Sequence, residues 1–267
     1  MLNPRIIPCL LVQNKGLVKT VQFSSPKYVG DPLNAVKIFN EKSVDELIVL
    51  DIDATIKQRE PDYKMIANLA MECRMPLCYG GGVKNIEQAL HIFELGVEKI
   101  AISSAVLEYP EIVSEIAGIV GNQSVVVILD VKKKKFSNNY EIYTHNGKQK
   151  TGLNPVELAK KVEELGCGEI VINSIDHDGM MAGYDNKIID AIRDVVSIPI
   201  TVLGGAGSIE DIGQMINQHG IIGAAAGSLF VFKGKYKAVL INYPNPLEKE
   251  SLINNYFLKN ETNTTVF

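Results

Sequence analysis

Asp130 closes the apolar run Val125-Val126-Val127-Ile128-Leu129, and Lys132 stands two residues on. A carboxylate at that place can work as a general acid or base, with burial raising its pKa and a neighbouring cation lowering it. The same pattern also fits a helix cap or a structural ion pair. Asp51, in Leu50-Asp51-Ile52-Asp53, and Asp178, in Asp176-His177-Asp178-Gly179, follow apolar stretches in the same way. The glycines carry a second chemistry. Gly80-Gly81-Gly82 follows the apolar run Met75 to Tyr79 and leads through an amphipathic stretch, Ile86 to Leu95, to Gly96 and Ser103-Ser104. Gly204-Gly205 follows Ile198 to Leu203 and leads through Ile209 to Ile216 to Gly220 and Gly227-Ser228, so that the span from Gly80 to Ser104 equals that from Gly204 to Ser228. Small residues after a strand let backbone N–H groups approach a phosphate, and serine hydroxyls add donors. The pattern predicts two anion cradles, Gly81, Gly82, Ser103 and Ser104 in one and Gly204, Gly205, Gly227 and Ser228 in the other, and hence a doubly phosphorylated ligand. Tight strand-to-helix packing without a ligand is the alternative. Arg5, Glu46, Lys99 and Glu169 each stand at or just before the start of an apolar run. They form either a salt-bridged plug or a gate for a small polar molecule.

These residues need a scaffold that brings strand ends together. Apolar runs at Ile6 to Leu11, Glu46 to Leu50, Pro76 to Tyr79, Lys99 to Ile102, Ser124 to Leu129, Glu169 to Asn173, Ile200 to Leu203 and Gly223 to Ala226 alternate with helical patterns. Clear helical examples are Pro32 to Glu41, Asn85 to Leu95, Pro110 to Ile119, Pro155 to Leu165 and Asn186 to Val195. Several begin on Pro or a capping Asn, Asp or Ser, and continuous apolar strands suit a sheet covered on both faces. The reading is an α/β fold, a (β/α)8 TIM barrel of one domain over residues 1–267, with half-barrels over about 1–120 and 121–250. An open doubly wound sheet explains two equivalent glycine turns less well. The carboxyl strand ends, and with them Leu11, Asp51, Ser103, Asp130, Asp178 and Ser228, then share one rim. Two segments interrupt the alternation. Gln13 to Asp31, which carries Lys19, reads as a mobile active-site loop, with Lys19 facing substrate at the rim. Val131 to Gly152 reads as a small hairpin inserted after the fifth strand. A last helix is expected over Leu247 to Leu258.

The 267 residues are 46% hydrophobic, enough for a large single core, and the net charge of −4 argues against broad nucleic-acid binding. Cys9, Cys73, Cys78 and Cys167 lack Cys-x-x-Cys spacing, and the four histidines form no ligand pattern, so neither a metal, a cofactor nor a disulfide framework is expected. No apolar run reaches membrane-span length and no signal-peptide pattern opens the chain, so a cytoplasmic, non-membrane location is expected.

From Arg5-Ile6-Ile7-Pro8-Cys9-Leu10 to Ser228-Leu229-Phe230 the chain resembles the HisF family, the cyclase subunits of imidazole glycerol phosphate synthase. The shared stretches include Gly30-Asp31-Pro32, Asp45-Glu46-Leu47, Gly80-Gly81-Gly82, Thr151-Gly152, Gly166-Cys167-Gly168-Glu169-Ile170, Asp176-His177-Asp178-Gly179, Gly183-Tyr184-Asp185 and Gly204-Gly205-Ala206-Gly207. The resemblance implies a glutaminase partner whose ammonia crosses the barrel. It also implies a cyclase that converts a bisphosphorylated ribulosyl substrate to imidazole glycerol phosphate and an aminoimidazole carboxamide nucleotide. It places Arg5, Glu46, Lys99 and Glu169 at the ammonia entrance, and makes Asp130 one of two catalytic aspartates. At the other, where the family reads Cys-Leu-Asp-Val, this chain reads Cys9-Leu10-Leu11-Val12. Leucine transfers no proton. Ser103 stands where the family has Asn, Leu203 replaces a Ser, and Met180 replaces a polar residue. Divergent members with Cys-Leu-Leu and Lys-Thr-Val in the first strand and loop resemble proteins associated with amidation of surface-polysaccharide sugars. That resemblance implies a sugar-phosphate or bisphosphorylated ligand, and a separate ATP-dependent sugar amidotransferase that uses the ammonia.

Overall fold

A computed structural model describes residues 3–135 and 137–254. In chain order the first half runs β1 (Arg5–Gln13), β2 (Gly16–Val21), β3 (Ser24–Gly30), α1 (Pro32–Glu41), β4 (Leu47–Asp51), α2 (Tyr63–Glu72), β5 (Leu77–Gly80), α3 (Ile86–Glu94), β6 (Lys99–Ile102), α4 (Ser104–Glu108) and α5 (Ile112–Val120). The second half runs β7 (Val125–Lys133), β8 (Tyr140–Thr144), β9 (Gln149–Lys150), α6 (Pro155–Glu164), β10 (Glu169–Ser174), α7 (Asn186–Arg193), β11 (Ile200–Leu203), α8 (Ile209–His219), β12 (Gly223–Ala226), α9 (Ser228–Val231), β13 (Phe232–Lys233) and β14 (Ala238–Val239). Residues 246–254 are helical; the rest of the helix expected to Leu258 lies outside the described residues. Among the described residues no helix is long and apolar enough to cross a membrane.

Eight strands pair in parallel in the order β10-β11-β12-β1-β4-β5-β6-β7, and β7 pairs back to β10, which closes the (β/α)8 barrel. Side chains alternate across each strand, so one set points inward and the next outward. Ile7, Cys9, Ile48, Cys78, Ala101, Val126, Ile128, Val171, Leu203 and Ala225 pack together as the inner set, capped by the half-buried Leu11 and Leu50. The intervening residues, such as Ile6, Leu10, Val49, Tyr79, Val127 and Ile172, pack under the helices. Helix starts follow their capping residues: Asp31, Asp62, Asn85, Asn154 and Ser208 each accept a backbone N–H of the first turn.

The segment Gln13 to Asp31, expected as a mobile loop, is instead an ordered antiparallel hairpin. β2 pairs with the end of β1 through Leu11–Val18 and Val12–Leu17, and β3 pairs with β2. Leu17, Val18, Lys19 and Thr20 are all buried, and the turn is made by Gln22 and Phe23 at φ 50° and 58°. A chain of β-branched and apolar residues extending an already formed strand gains ladder hydrogen bonds and burial that outweigh loop entropy. The hairpin expected after the fifth strand is present as β8–β9, with its turn over His145, Asn146 and Gly147.

The repeat is also visible, with its register displaced by one residue from the equal spans in the sequence. Cβ atoms on Gly81 and Gly204 would lie 2.4 and 2.6 Å from the carbonyl oxygens of Asp51 and Ser174, the last residues of β4 and β10. Gly81 therefore matches Gly204, and Gly82 matches Gly205. The equal span arises because α8, at 11 residues, is two longer than α3, at 9, while the connection from α8 to β12 is one residue shorter than that from α3 to β6.

Gly205 has φ +125° and a Cβ there would lie 2.1 Å from the Gly183 carbonyl oxygen, whereas Gly152, at φ +77°, has open space. Gly205→Ala should lower stability by more than about 2 kcal/mol and Gly152→Ala by only about 1 kcal/mol, read by urea unfolding. Equal losses would show that close packing at the turn is irrelevant.

Candidate active site at the carboxyl end of the barrel

One cavity at the carboxyl ends of the strands is lined by the candidate phosphate, acid–base and substrate residues singled out in the sequence: Lys19, Asp51, Gly81, Gly82, Ser103, Ser104, Asp130, Asp178, Gly204, Gly205, Gly227 and Ser228. Leu11 and Asp130 line the same cavity. Its two glycine turns hold their shape through positive φ at Gly81, Gly82, Gly204 and Gly205. Beyond each turn, the next strand opens directly into a short helix, α4 after Ser103 and α9 after Gly227, whose first N–H groups have no intrahelical partner. These short helices were not foreseen. Their sequence signal is the small residue pair that ends each strand.

Lys19 lies beside Gly227, at the second glycine–serine pair. It is 5% exposed, and its Nζ donates to the Cys9 carbonyl oxygen at 2.6 Å. A Cβ on Gly227 would lie 2.6 Å from that Nζ, so glycine there gives the ammonium room beside the start of α9. Among the described residues no carboxylate lies within 4.0 Å of it. Burial pulls its pKa down, against the opposing influence of Cys9 and Asp178. A buried ammonium without a counter-ion is costly, and an anion in the cradle would relieve that cost.

The acids differ in setting. Asp130 ends its inward-facing row on β7, opposite Asn173 on β10, whose Nδ2 donates to Asp130 Oδ1 at 2.8 Å. Burial pushes the Asp130 carboxyl up to about 7, against the Asn173 hydrogen bond, and Asp178 adds to the rise. Asp178 holds the first hairpin down: its Oδ2 accepts from Thr20 Oγ1 at 2.7 Å and from the Phe23 N–H at 3.1 Å. Burial nonetheless raises its pKa. Asp51 accepts the Asp53 N–H at 3.0 Å and lies 3.6 Å from Arg59, with burial again raising its pKa.

The two inserted hairpins cross over the mouth. The first docks on the Asp176–Gly179 loop of the second half, where the Gln22 N–H also donates to the Asp178 carbonyl oxygen at 2.9 Å. The second reaches the first half, Asn146 Nδ2 donating to the Ile52 carbonyl oxygen at 2.8 Å. Phe23, His145 and Asn146 thereby become cavity walls, as does Thr20. The sequence reading missed these residues along with Asn173, although Asn173 ends an expected strand and so was readable as a rim position. The floor is apolar, formed by Leu11, Leu50, Ile128 and Leu203. Met180, read as part of a more apolar rim, is 48% exposed and is no wall of the cavity; Met181 is.

At the opposite end, Arg5, Glu46, Lys99 and Glu169 close into a ring. Arg5 pairs with Glu46 and, at 2.6 Å, with Glu169; Lys99 reaches Glu46 at 2.9 Å and Glu169 at 2.8 Å. Thr201, absent from the sequence reading, donates to Glu169 at 2.5 Å. Burial works against the charges of Lys99 and Glu169. Their partners outweigh it, so the Lys99 pKa rises and the Glu169 pKa falls.

With this geometry in hand, the comparisons are direct. Residues 5–237 match the family model described as "Histidine biosynthesis protein". A protein of Leptospira borgpetersenii, "Putative imidazole glycerol phosphate synthase subunit HisF", is 59% identical over 252 residues, 94% of this chain and 99% of its own length. One of Vibrio vulnificus, "Putative imidazole glycerol phosphate synthase subunit hisF3", is 56% identical over 95% of this chain and 97% of its own. An "Imidazole glycerol phosphate synthase subunit HisF" of Lactococcus lactis subsp. cremoris is 40% identical over 86% of this chain and 89% of its own.

In ¹³C-detected carboxyl titration Asp130 should titrate near 7. Asn173 donates to the charged carboxylate, so Asn173→Ala should move the midpoint higher still. A midpoint near the ordinary aspartate value would remove Asp130 as an acid–base group at neutral pH.

Proposed function

The chain belongs to the HisF family, and from that membership we propose that it receives ammonia from a glutaminase subunit of the HisH type at the charged ring. The ammonia passes through the barrel and leaves at the cavity, for amidation of a surface-polysaccharide sugar by a separate ATP-dependent amidotransferase. The observation that carries this reading is Leu11 on the cavity floor, beside Leu50, Ile128 and Leu203. With leucine at that position the cavity has lost one partner of a two-aspartate proton-transfer pair. Loss of a general acid or base costs about 10²- to 10⁴-fold in rate. Conduction makes no such demand. The ring of Arg5, Glu46, Lys99 and Glu169 is balanced in charge, and the interior above it is lined by small or apolar residues such as Cys9, Cys78, Ala101 and Ala225. That interior favours neutral ammonia, because an unpaired ammonium ion there would lose its hydration. The cradles then hold a bisphosphorylated or sugar-phosphate ligand over the exit, with Lys19 as the counter-ion of one phosphate.

A second reading, the imidazole glycerol phosphate synthase cyclase of histidine biosynthesis, is favoured by the Asp130 carboxyl. Held at about 7, it is divided between acid and base forms near neutral pH. Steady-state turnover of the bisphosphorylated ribulosyl substrate with ammonium salt, which bypasses the glutaminase, separates the two. Turnover at least about 10²-fold below an ordinary cyclase is expected; ordinary turnover would reject the conduit reading. Leu11→Asp should leave turnover low if the cavity has diverged beyond that residue. Lys19→Met should weaken binding of a bisphosphorylated sugar by roughly 10-fold or more by calorimetry, since a hydrogen bond to a charged group is worth about 1.5–3 kcal/mol. Unchanged affinity would remove Lys19 from the cradle.

A further inference from the structure

The chain leaves α9, whose first residue lines the cavity, directly into the β13–β14 hairpin. Residues 233–240, Lys-Gly-Lys-Tyr-Lys-Ala-Val-Leu, are all exposed, Tyr236 at 91% and Leu240 at 53%. β13 and β14 pair only with each other among the described residues. A two-stranded hairpin is marginal in water unless one face is packed, and its free edges are open to another chain. Its charge is equally one-sided. Lys233, Lys235 and Lys237 lie in a stretch without Asp or Glu, and Lys27 joins them from β3, its Nζ 5.7 Å from the centre of the Phe232 ring. None of the four lysines has a carboxylate within 4.0 Å among the described residues. This is a cationic surface on a chain of net charge −4.

We infer that this hairpin is the docking surface for the ammonia-consuming amidotransferase, which meets it through an acidic face; this rests on the conduit reading above. The exposed Tyr236 is the residue type enriched at the centre of protein interfaces, and the lysines flank it as a solvated, charged rim. The lysines require negative charge opposite them and set the rate of encounter. The location suits the role. Ammonia released from an open mouth is lost to solvent, and a protein seated on this hairpin stands at the mouth, on the side opposite the charged ring. The Lys27–Phe232 contact also joins this hairpin to β3 of the hairpin that crosses the cavity, so the lysine surface is continuous with the mouth's own cover.

The test uses the full chain with its glutaminase in the source organism, with the photo-crosslinker p-benzoylphenylalanine in place of Tyr236. Crosslinking to an ATP-dependent amidotransferase is expected. The triple variant Lys233→Glu, Lys235→Glu, Lys237→Glu should lower that yield by roughly tenfold or more. With the captured amidotransferase, the triple variant should also lose glutamine-driven amidation and keep ammonium-driven amidation, with glutaminase binding and melting temperature unchanged. Crosslinks to nucleic acid, lipid, the glutaminase or a second copy of this chain would overturn the inference, as would full glutamine-driven amidation by the triple variant. The conduit reading fails separately: Lys99→Met that leaves glutamine-driven amidation intact, or amidation without this chain, defeats it whatever Tyr236 captures.

Discussion

A closed barrel whose eight strands all run one way has two ends that share no residues, and the separation of the charged ring from the cavity follows from that polarity. First residues collect at one end and last residues at the other. At the first end, two buried carboxylates, Glu46 and Glu169, each face both Arg5 and Lys99. Such a cluster is tolerated out of water only when every member is paired, and the two-plus-two arrangement meets that condition without an external ion. Gly223 contributes by omission: a Cβ there would lie 1.8 Å from Thr201 Oγ1, the hydroxyl that serves Glu169. The interior above the ring is left to small and apolar side chains, and polar groups return only where the strands end.

The halves share a scaffold and differ in what they place on it. The pairs Val12–Leu17 and Val131–Ile142 are equivalent contacts of the two inserted hairpins, and counting on from them sets Lys19 against Thr144. Both are buried, but Lys19 lines the cavity while the Thr144 hydroxyl stays within its own hairpin, beside Gln149 and His145, so the same backbone position carries a cation in one half and a neutral hydroxyl in the other. Leu11 and Asp130, both cavity walls, show the same divergence. A duplicated framework fixes where a side chain points, while its chemistry varies independently in each copy.

Much of this was readable beforehand, for physical reasons. Continuous apolar runs at β5, β6, β11 and β12 require cover on both faces, and the glycine turns state the half-barrel repeat. The charged residues heading β1, β6 and β10 were placeable because a parallel barrel gathers strand starts. Thr20, Phe23, His145 and Asn146 were not legible as cavity walls, because their places depend on hairpins that reach across the mouth, which no local pattern records. The first hairpin was misread because Lys15, Ser24, Ser25, Pro26 and Gly30 resemble loop composition and the segment is too long for an ordinary βα turn. The burial of Leu17 and Val18 decides otherwise. The register displacement of the repeat was hidden by the extra length of α8, which restored equal spacing by the second marker.

The crossed hairpins carry a structural implication of their own. Each arm originates in one half and is fastened to the other: Thr20 and Phe23 to Asp178, Asn146 to the Ile52 carbonyl oxygen. Neither half can cover its own glycine turn, so an ancestral half of this size, standing alone, would have had an open face. Reciprocal clasping makes enclosure of the mouth a property of the whole barrel and of neither half alone.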